Sequence, residues 1–348
     1  MSANQLMIDA FLGARADDLF TSVATPAEAA ELQALDVTDG QVEARQAIKT
    51  AIANARRRTP NPGTRIALIK GEAGSGKSHV LTMIFKEAAG MPMDSVYPAV
   101  VQLTAPIATS GYQQWLQDAT IRQLSARHFA NDANQSPLRR LADKLAEHAD
   151  TEQRERFLDL VDEGEHDDTI QLARSMGARI RHRAKTLLHE MPPSDAFIAV
   201  VLLAGFDDWS ALNYLCRGVI DNRIKRLGLN KIEKPDDCIR VIADLGLTAQ
   251  MVGGSLALGF DQVENAAKLG DEGLFAHALT QAVRISELVL NCSVSIAALA
   301  DVYDEIAAAS GTSQGLPAPD RDRIEAEVPR AVRLERGTPK FLEQVIAR

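Results

Sequence analysis

The stretch RIALIKGEAGSGKSHVLTMIFKEA, Arg65–Ala88, decides the fold. RIALIK is a short apolar run of strand length, and HVLTMIFKEAA sets Val80, Met83, Ile84 and Ala88 on one side of a helix. Between them, GEAGSGKS fits the spacing G-x-x-x-x-G-K-[ST] through Gly71, Gly76, Lys77 and Ser78. Glycines let such a loop turn its backbone N–H groups inward on an anion, and the following helix adds its own N-terminal donors. The spacing puts the Lys77 ammonium within reach of β- and γ-phosphates and the Ser78 hydroxyl in place to ligate Mg²⁺. The candidate contacts to a nucleotide are therefore Gly71, Glu72, Ala73, Gly74, Ser75, Gly76, Lys77, Ser78 and His79.

A loop of this kind needs a second element to hold the metal and position water. SLALGFDQVE supplies a run of small and apolar residues ending in Asp261, the pattern of a buried strand that delivers an acid at its carboxyl end. Asp261 is thus expected close to Ser78, on a strand adjacent to the one entering Gly71. Three options remain for the attacking water: Glu264 polarises it from the next turn, the Gln262 amide orients it, or hydrolysis is slow.

Working outward, residues 1–62 form a lead-in, with turn signals at Thr25-Pro26 and Asp39-Gly40. The helical pattern Gln41–Arg58 closes it and TPNPG ends the helix. Residues 63–106 hold the loop and a second buried strand, VYPAVVQLTAP. From 107 to 252 strand-like runs almost vanish and charged helical patterns such as PLRRLADKLAEHA dominate. The apolar stretch AFIAVVLLAGF is too short to span a bilayer and reads as a buried helix. The basic run ARIRHRAK sits among acidic neighbours such as DEGEHDD, which favours a solvated helix face over a phosphate contact. Strand signals return over 253–336, in SLALGFD, NCSVSIAALA and RAVRLE. Residues 337–348 break off inside a helical pattern, so a longer parent chain is expected.

The chain has 38 Lys+Arg against 47 Asp+Glu, a net charge of −9, and 5% aromatic residues. That balance argues against direct nucleic-acid binding by this segment, since neither a basic footprint nor a stacking platform is evident. Three separated cysteines, Cys216, Cys238 and Cys292, give neither a zinc spacing nor a disulfide framework, so a reducing cytoplasm is expected. The N-terminus lacks the charged-then-apolar order of a signal peptide.

GEAGSGKS, LALGFD, NCSVSIAALA, the turn-like DRDRIE and RAVRL occur in an order that resembles the AAA+ and related STAND-type P-loop ATPases of the ASCE division. The likeness spans about 64–106 and 253–340. It implies an α/β fold, a parallel-sheet P-loop NTPase core with a large helical insertion, ATP and Mg²⁺ as cofactors, and a homo-oligomer. In many such ATPases a glutamate directly follows the metal acid, a position held here by Gln262. The resemblance implies a γ-phosphate sensor at Ser295, 34 residues beyond Asp261, with Ser293 as rival. It also implies an arginine finger at Arg323 or Arg321 in DRDRIE, and a lid starting at GTPK, where Lys340 stands in place of a second arginine sensor. YLCRG (Tyr214–Gly218) and LGL (Leu227–Leu229) are similar to elements of large prokaryotic phage-defence ATPases.

The expected activity is Mg²⁺-dependent ATP hydrolysis that drives or switches an oligomer acting on a partner protein or on an effector domain beyond Arg348. A slow-turnover, nucleotide-gated switch is the alternative, favoured by Gln262. A small-molecule phosphotransferase fits less well, because no arginine-rich lid segment follows the loop. No membrane span is expected.

Overall fold

The computed structural model describes residues 41–56, 64–90, 96–130, 134–164, 166–185, 191–269, 273–289, 291–312, 315–326 and 331–334. Residues 1–40 and 335–348, with the lid sequence GTPK and Lys340, lie outside them. The chain is an α/β fold around five parallel strands in the order β2-β3-β4-β1-β5. These are β1 (Ile66–Gly71), β2 (Val96–Gln102), β3 (Ser255–Asp261), β4 (Cys292–Leu299) and β5 (Val332–Leu334). Parallel strands are covered on both faces, which is why RIALIK and SLALGFD are continuously apolar rather than alternating.

One face of the sheet carries α1 (Val42–Arg56) and α2 (Lys77–Ala89), packed through Ile48, Leu81, Ile84 and Phe85 against Ala67, Ile69, Ala257 and Ala297. Burial of a side chain such as Phe85 or Leu81 is worth about 2–3 kcal/mol. Gly259 of β3 makes this packing close: a Cβ there would stand 3.0 Å from Leu81 and 3.2 Å from Phe85. The other face carries α3 (Tyr112–Ser125), followed by α4 (Pro137–Glu147), α5 (Thr151–Glu163), α6 (His166–Ala184), α7 (Asp195–Gly205), α8 (Trp209–Arg217), α9 (Asn222–Leu227) and α10 (Pro235–Met251). Among the described residues no strand interrupts this run between β2 and β3. Helix α7, the AFIAVVLLAGF segment, is buried on all sides at the centre of this layer. Helices α11 (Asn265–Leu269), α12 (Leu274–Leu288), α13 (Ala300–Ala308) and α14 (Ala318–Ile324) complete the chain.

Arg140 of α4 reaches back to the sheet, donating to the carbonyls of Ala89 (3.1 Å) and Val96 (3.2 Å) with its guanidinium over the Tyr97 ring. Asp244 of α10 has its carboxyl pushed up to about 6, chiefly by burial, with Arg240 opposing.

The basic run in α6 is neutralised within the layer. Arg179 and Arg183 pair with Asp150, and Arg181 lies 3.9 Å from Asp195. DRDRIE, expected as a turn, is helical in α14. Pro319 stands in the first turn, where its missing N–H leaves no bond unmade, and Ile324 anchors the helix by full burial. Among the described residues no helix is long and apolar enough to cross a membrane.

Candidate nucleotide site at the carboxyl edge of the sheet

β1 ends at Gly71, and the loop runs through exposed Glu72, Ala73 and Gly74 and buried Ser75 to Gly76, the N-cap of α2. Gly74 and Gly76 have φ of 76° and 85°, the left-handed region that glycine enters without strain. Lys77, Ser78 and His79 form the first turn of α2. The buried Lys77 ammonium donates to the carbonyls of Gly71 (3.0 Å) and Glu72 (2.8 Å), curling back over its own loop.

The expectation that Asp261 sits on a strand adjacent to β1 is corrected: β4 lies between β1 and β3. The two residues meet nonetheless, with the Ser78 hydroxyl donating to Asp261 Oδ1 at 2.9 Å. Helix α2 explains this, because its Leu81 and Phe85 lie against Gly259 of β3. α2 thus crosses above β4, and its first turn hangs over the end of β3.

Asp261 is 3% exposed. Burial pushes its carboxyl up. Gln102 Nε2 (2.7 Å), the Ser78 hydroxyl, the Gln262 N–H and the Lys77 charge pull it back down. Gln102 was not anticipated, yet it ends VYPAVVQ as Asp261 ends SLALGFD, in register with it. A polar residue closing an apolar strand was the available signal.

Glu264 is 7% exposed and one of its oxygens, Oε2, has no hydrogen-bond partner among the described residues. Burial raises its pKa. Its own N–H, the Lys77 charge and the Leu299 N–H oppose that rise, while Asp261 adds to it. Gln262 differs: its backbone is left-handed at φ 53°, and its side-chain oxygen accepts from Asn265 Nδ2 at 3.3 Å. Asn265 also donates to the Leu103 carbonyl, fixing this turn to the end of β2.

For Lys77, burial lowers the pKa while Glu264, Asp261 and Asp301 favour the charged form, in that order. Asp301, also unanticipated, follows β4 at the start of α13, two residues past Leu299, which is in register with Gly71.

The remaining expected residues lie elsewhere. Ser295 pairs in register with Ala67 and Gly259, four residues below Leu299 and about 13 Å from the strand's end, so it does not reach the loop. An offset counted from Asp261 located the strand but not its mouth. Ser293 is deeper still, its hydroxyl 3.4 Å from the Leu256 carbonyl. Arg323 pairs with Glu287 (2.8 Å) and Asp320 (3.6 Å), and Arg321 lies 3.5 Å from the Ala307 carbonyl and 3.6 Å from Asp322. Neither is brought to the loop of its own chain by these contacts.

Among the described residues no group of three or more His, Cys, Asp or Glu side chains is disposed to hold a metal ion alone. Ser78 and Asp261 bring one hydroxyl and one carboxylate together, a pair that could ligate a cation only with further oxygen donors such as water. Comparisons with protein-family models, curated proteins and solved structures find no match for this chain.

Proposed function

We propose that this chain is an AAA+-like P-loop ATPase that binds ATP with Mg²⁺ at the 71–78 loop and hydrolyses it to drive or switch an oligomer. One observation carries the reading: Ser78 and Asp261, 183 residues apart in sequence, bond at 2.9 Å beside a buried Lys77. Chance turns do not recruit a distant buried acid to their serine.

The donor set fits the cofactor. Ser78 and Asp261 would hold Mg²⁺, which when bound supplies charge neutralisation across the β- and γ-oxygens. Lys77 exchanges its loop carbonyls for phosphate oxygens, a trade of neutral acceptors for charged ones that strengthens each bond. Glu264, buried with an unpartnered oxygen near Lys77, holds a water for attack better than Gln262, whose oxygen is engaged by Asn265. Burial raises the Glu264 carboxyl above its ordinary value, which makes it a better acceptor for that water's proton. Three buried free thiols fit the reducing cytoplasm expected for such an enzyme.

Titration of the chain with ATP and Mg²⁺, followed by measurement of phosphate release, tests this. Nucleotide binding that is lost in Lys77→Ala supports it. Equal affinity in wild type and variant overturns it.

A slow-turnover switch is the second reading, favoured by the engagement of Arg323 with Glu287 and Asp320 of its own chain. Turnover that rises with protein concentration supports hydrolysis completed by a neighbouring subunit. Negligible turnover at every concentration supports the switch. A role in phage defence rests on the sequence resemblance alone.

A further inference from the structure

The chain leaving β3 changes direction at one residue. Gln262 has φ 53°, the left-handed region that a residue with a Cβ enters at a cost. The other described non-glycine residues with positive φ are Asn134 and Asp207, whose short polar side chains favour it; Gln262 lacks that advantage. Three residues of extended chain would set Glu264 about 10 Å past Asp261. The reversal curls it back instead: the Asn265 N–H donates to the Gln262 carbonyl, that of Ala266 to Val263 and that of Ala267 to Glu264, each at 3.0 Å. Glu264 is thereby returned to the mouth of the sheet, where it shares the Lys77 charge with Asp261 and takes the Leu299 N–H.

Apolar packing does not fix this turn. Behind it lies a small cavity lined by Val263, Ala266, Leu103, Tyr112, Trp115 and Phe260, so the turn has room to shift. The Asn265 amide supplies the restraint. Its one nitrogen gives a proton to the Leu103 carbonyl (3.1 Å) and another to Gln262 Oε1 (3.3 Å). A single side chain thus ties the reversal to the end of β2.

We propose that Asn265 is the positioning residue for Glu264: it locks the left-handed turn at Gln262 and so sets the carboxylate to face the attacking water. This inference rests on the ATPase reading above. It gives the Gln262 side chain a part in the turn and none in the chemistry.

The test uses the full chain as wild type and as Asn265→Asp, Gln262→Gly and Gln262→Val. Asn265→Asp keeps the shape of the side chain but replaces its N–H donors with an acceptor. Single-turnover phosphate release should slow by about 10- to 100-fold in it, while ATP affinity by calorimetry stays within about 2-fold. In the nucleotide-free chain, amides of residues 265–267 should exchange about 10-fold faster, with those of β1 and β4 unchanged. Gln262→Gly takes the left-handed turn without strain and should keep the rate within about 3-fold. Gln262→Val is strained there and should slow it by about 10-fold. A normal rate in Asn265→Asp overturns the proposal. A loss of ATP affinity as large as the loss of rate also does, since Asn265 would then only hold the fold. A rate in Gln262→Gly as low as in Glu264→Gln gives the water to the Gln262 amide and overturns the proposal with the ATPase reading intact. A wild type that binds no ATP removes that reading, and the proposal with it.

Discussion

The carboxyl edge of the sheet and the helical layer of α3–α10 handle charge in opposite ways. At the edge, the buried Lys77 ammonium faces three acids, Asp261, Glu264 and Asp301, and Glu264 keeps an oxygen with no partner among the described residues. In the layer, several charges meet at the surface in pairs whose members are each substantially exposed, as in Arg179 and Arg183 with Asp150 or Arg226 with Asp167. Water can satisfy the second arrangement at little cost, so it implies no ligand. The first concentrates desolvated charge where α2 begins and β3 ends, a common location for functional sites. Perturbed groups occur in the layer too, as at Asp244 and Arg140, but there they stand apart, whereas at the edge a buried ammonium faces several acids at once.

The sharpest way to break this contrast is Lys77→Ala. Loss of the Lys77 ammonium should weaken ATP binding by about 100-fold or more, read by calorimetry. Retention of tight binding would make the edge no more special than the layer. Glu264→Gln comes next, with ATP affinity kept and phosphate release slowed by about 100-fold in single-turnover assays. A normal rate would transfer the water to Gln262.

Asp244 tests the layer from within. Its carboxyl is pushed from 3.8 to about 6 by burial, so the folded state is penalised above pH 6 and the penalty fades as pH falls from 6 toward 3.8. Asp244→Asn should therefore stabilise the chain by roughly 1–2 kcal/mol at pH 8, after discounting for its partial exposure, and by little at pH 4. Denaturant melts at the two pH values measure this, and a pH-independent effect would deny the burial penalty. Arg179→Ala should change stability by about 0.5 kcal/mol or less. A loss above about 2 kcal/mol would show that the surface pairs carry weight after all.

Much of the frame was legible in the sequence. RIALIK, VYPAVVQ, SLALGFD and NCSVSIAALA are apolar runs bounded by turn or helix signals, while RAVRLE alternates, burying Val332 and Leu334 and exposing Arg333; each contains a strand. Parallel strands buried on both faces announce themselves this way. What local pattern could not give was neighbour order. Nothing in SLALGFD says that NCSVSIAALA will insert between it and RIALIK, so the acid was expected one strand too close. The same limit misplaced Ser295, since strand ends depend on pairing register, whereas residue offsets ignore it. DRDRIE was missed as a helix because its short charged pattern shows one buried residue, Ile324, and too few turns for periodicity. Gln102 reaches Asp261, and Asp301 reaches Lys77, only through long-range packing; each is an ordinary polar residue in its own segment.

The reach of Arg140 has a consequence for how the molecule opens. One guanidinium ties the last residue of α2 to the first residue of β2, and it is anchored on α4. Fraying at the tail of the loop helix therefore breaks a bond to α4, which couples the two openings. Amide exchange at Ala88–Gly90 should share one rate with α4, and Arg140→Ala should split that single cooperative unit into two.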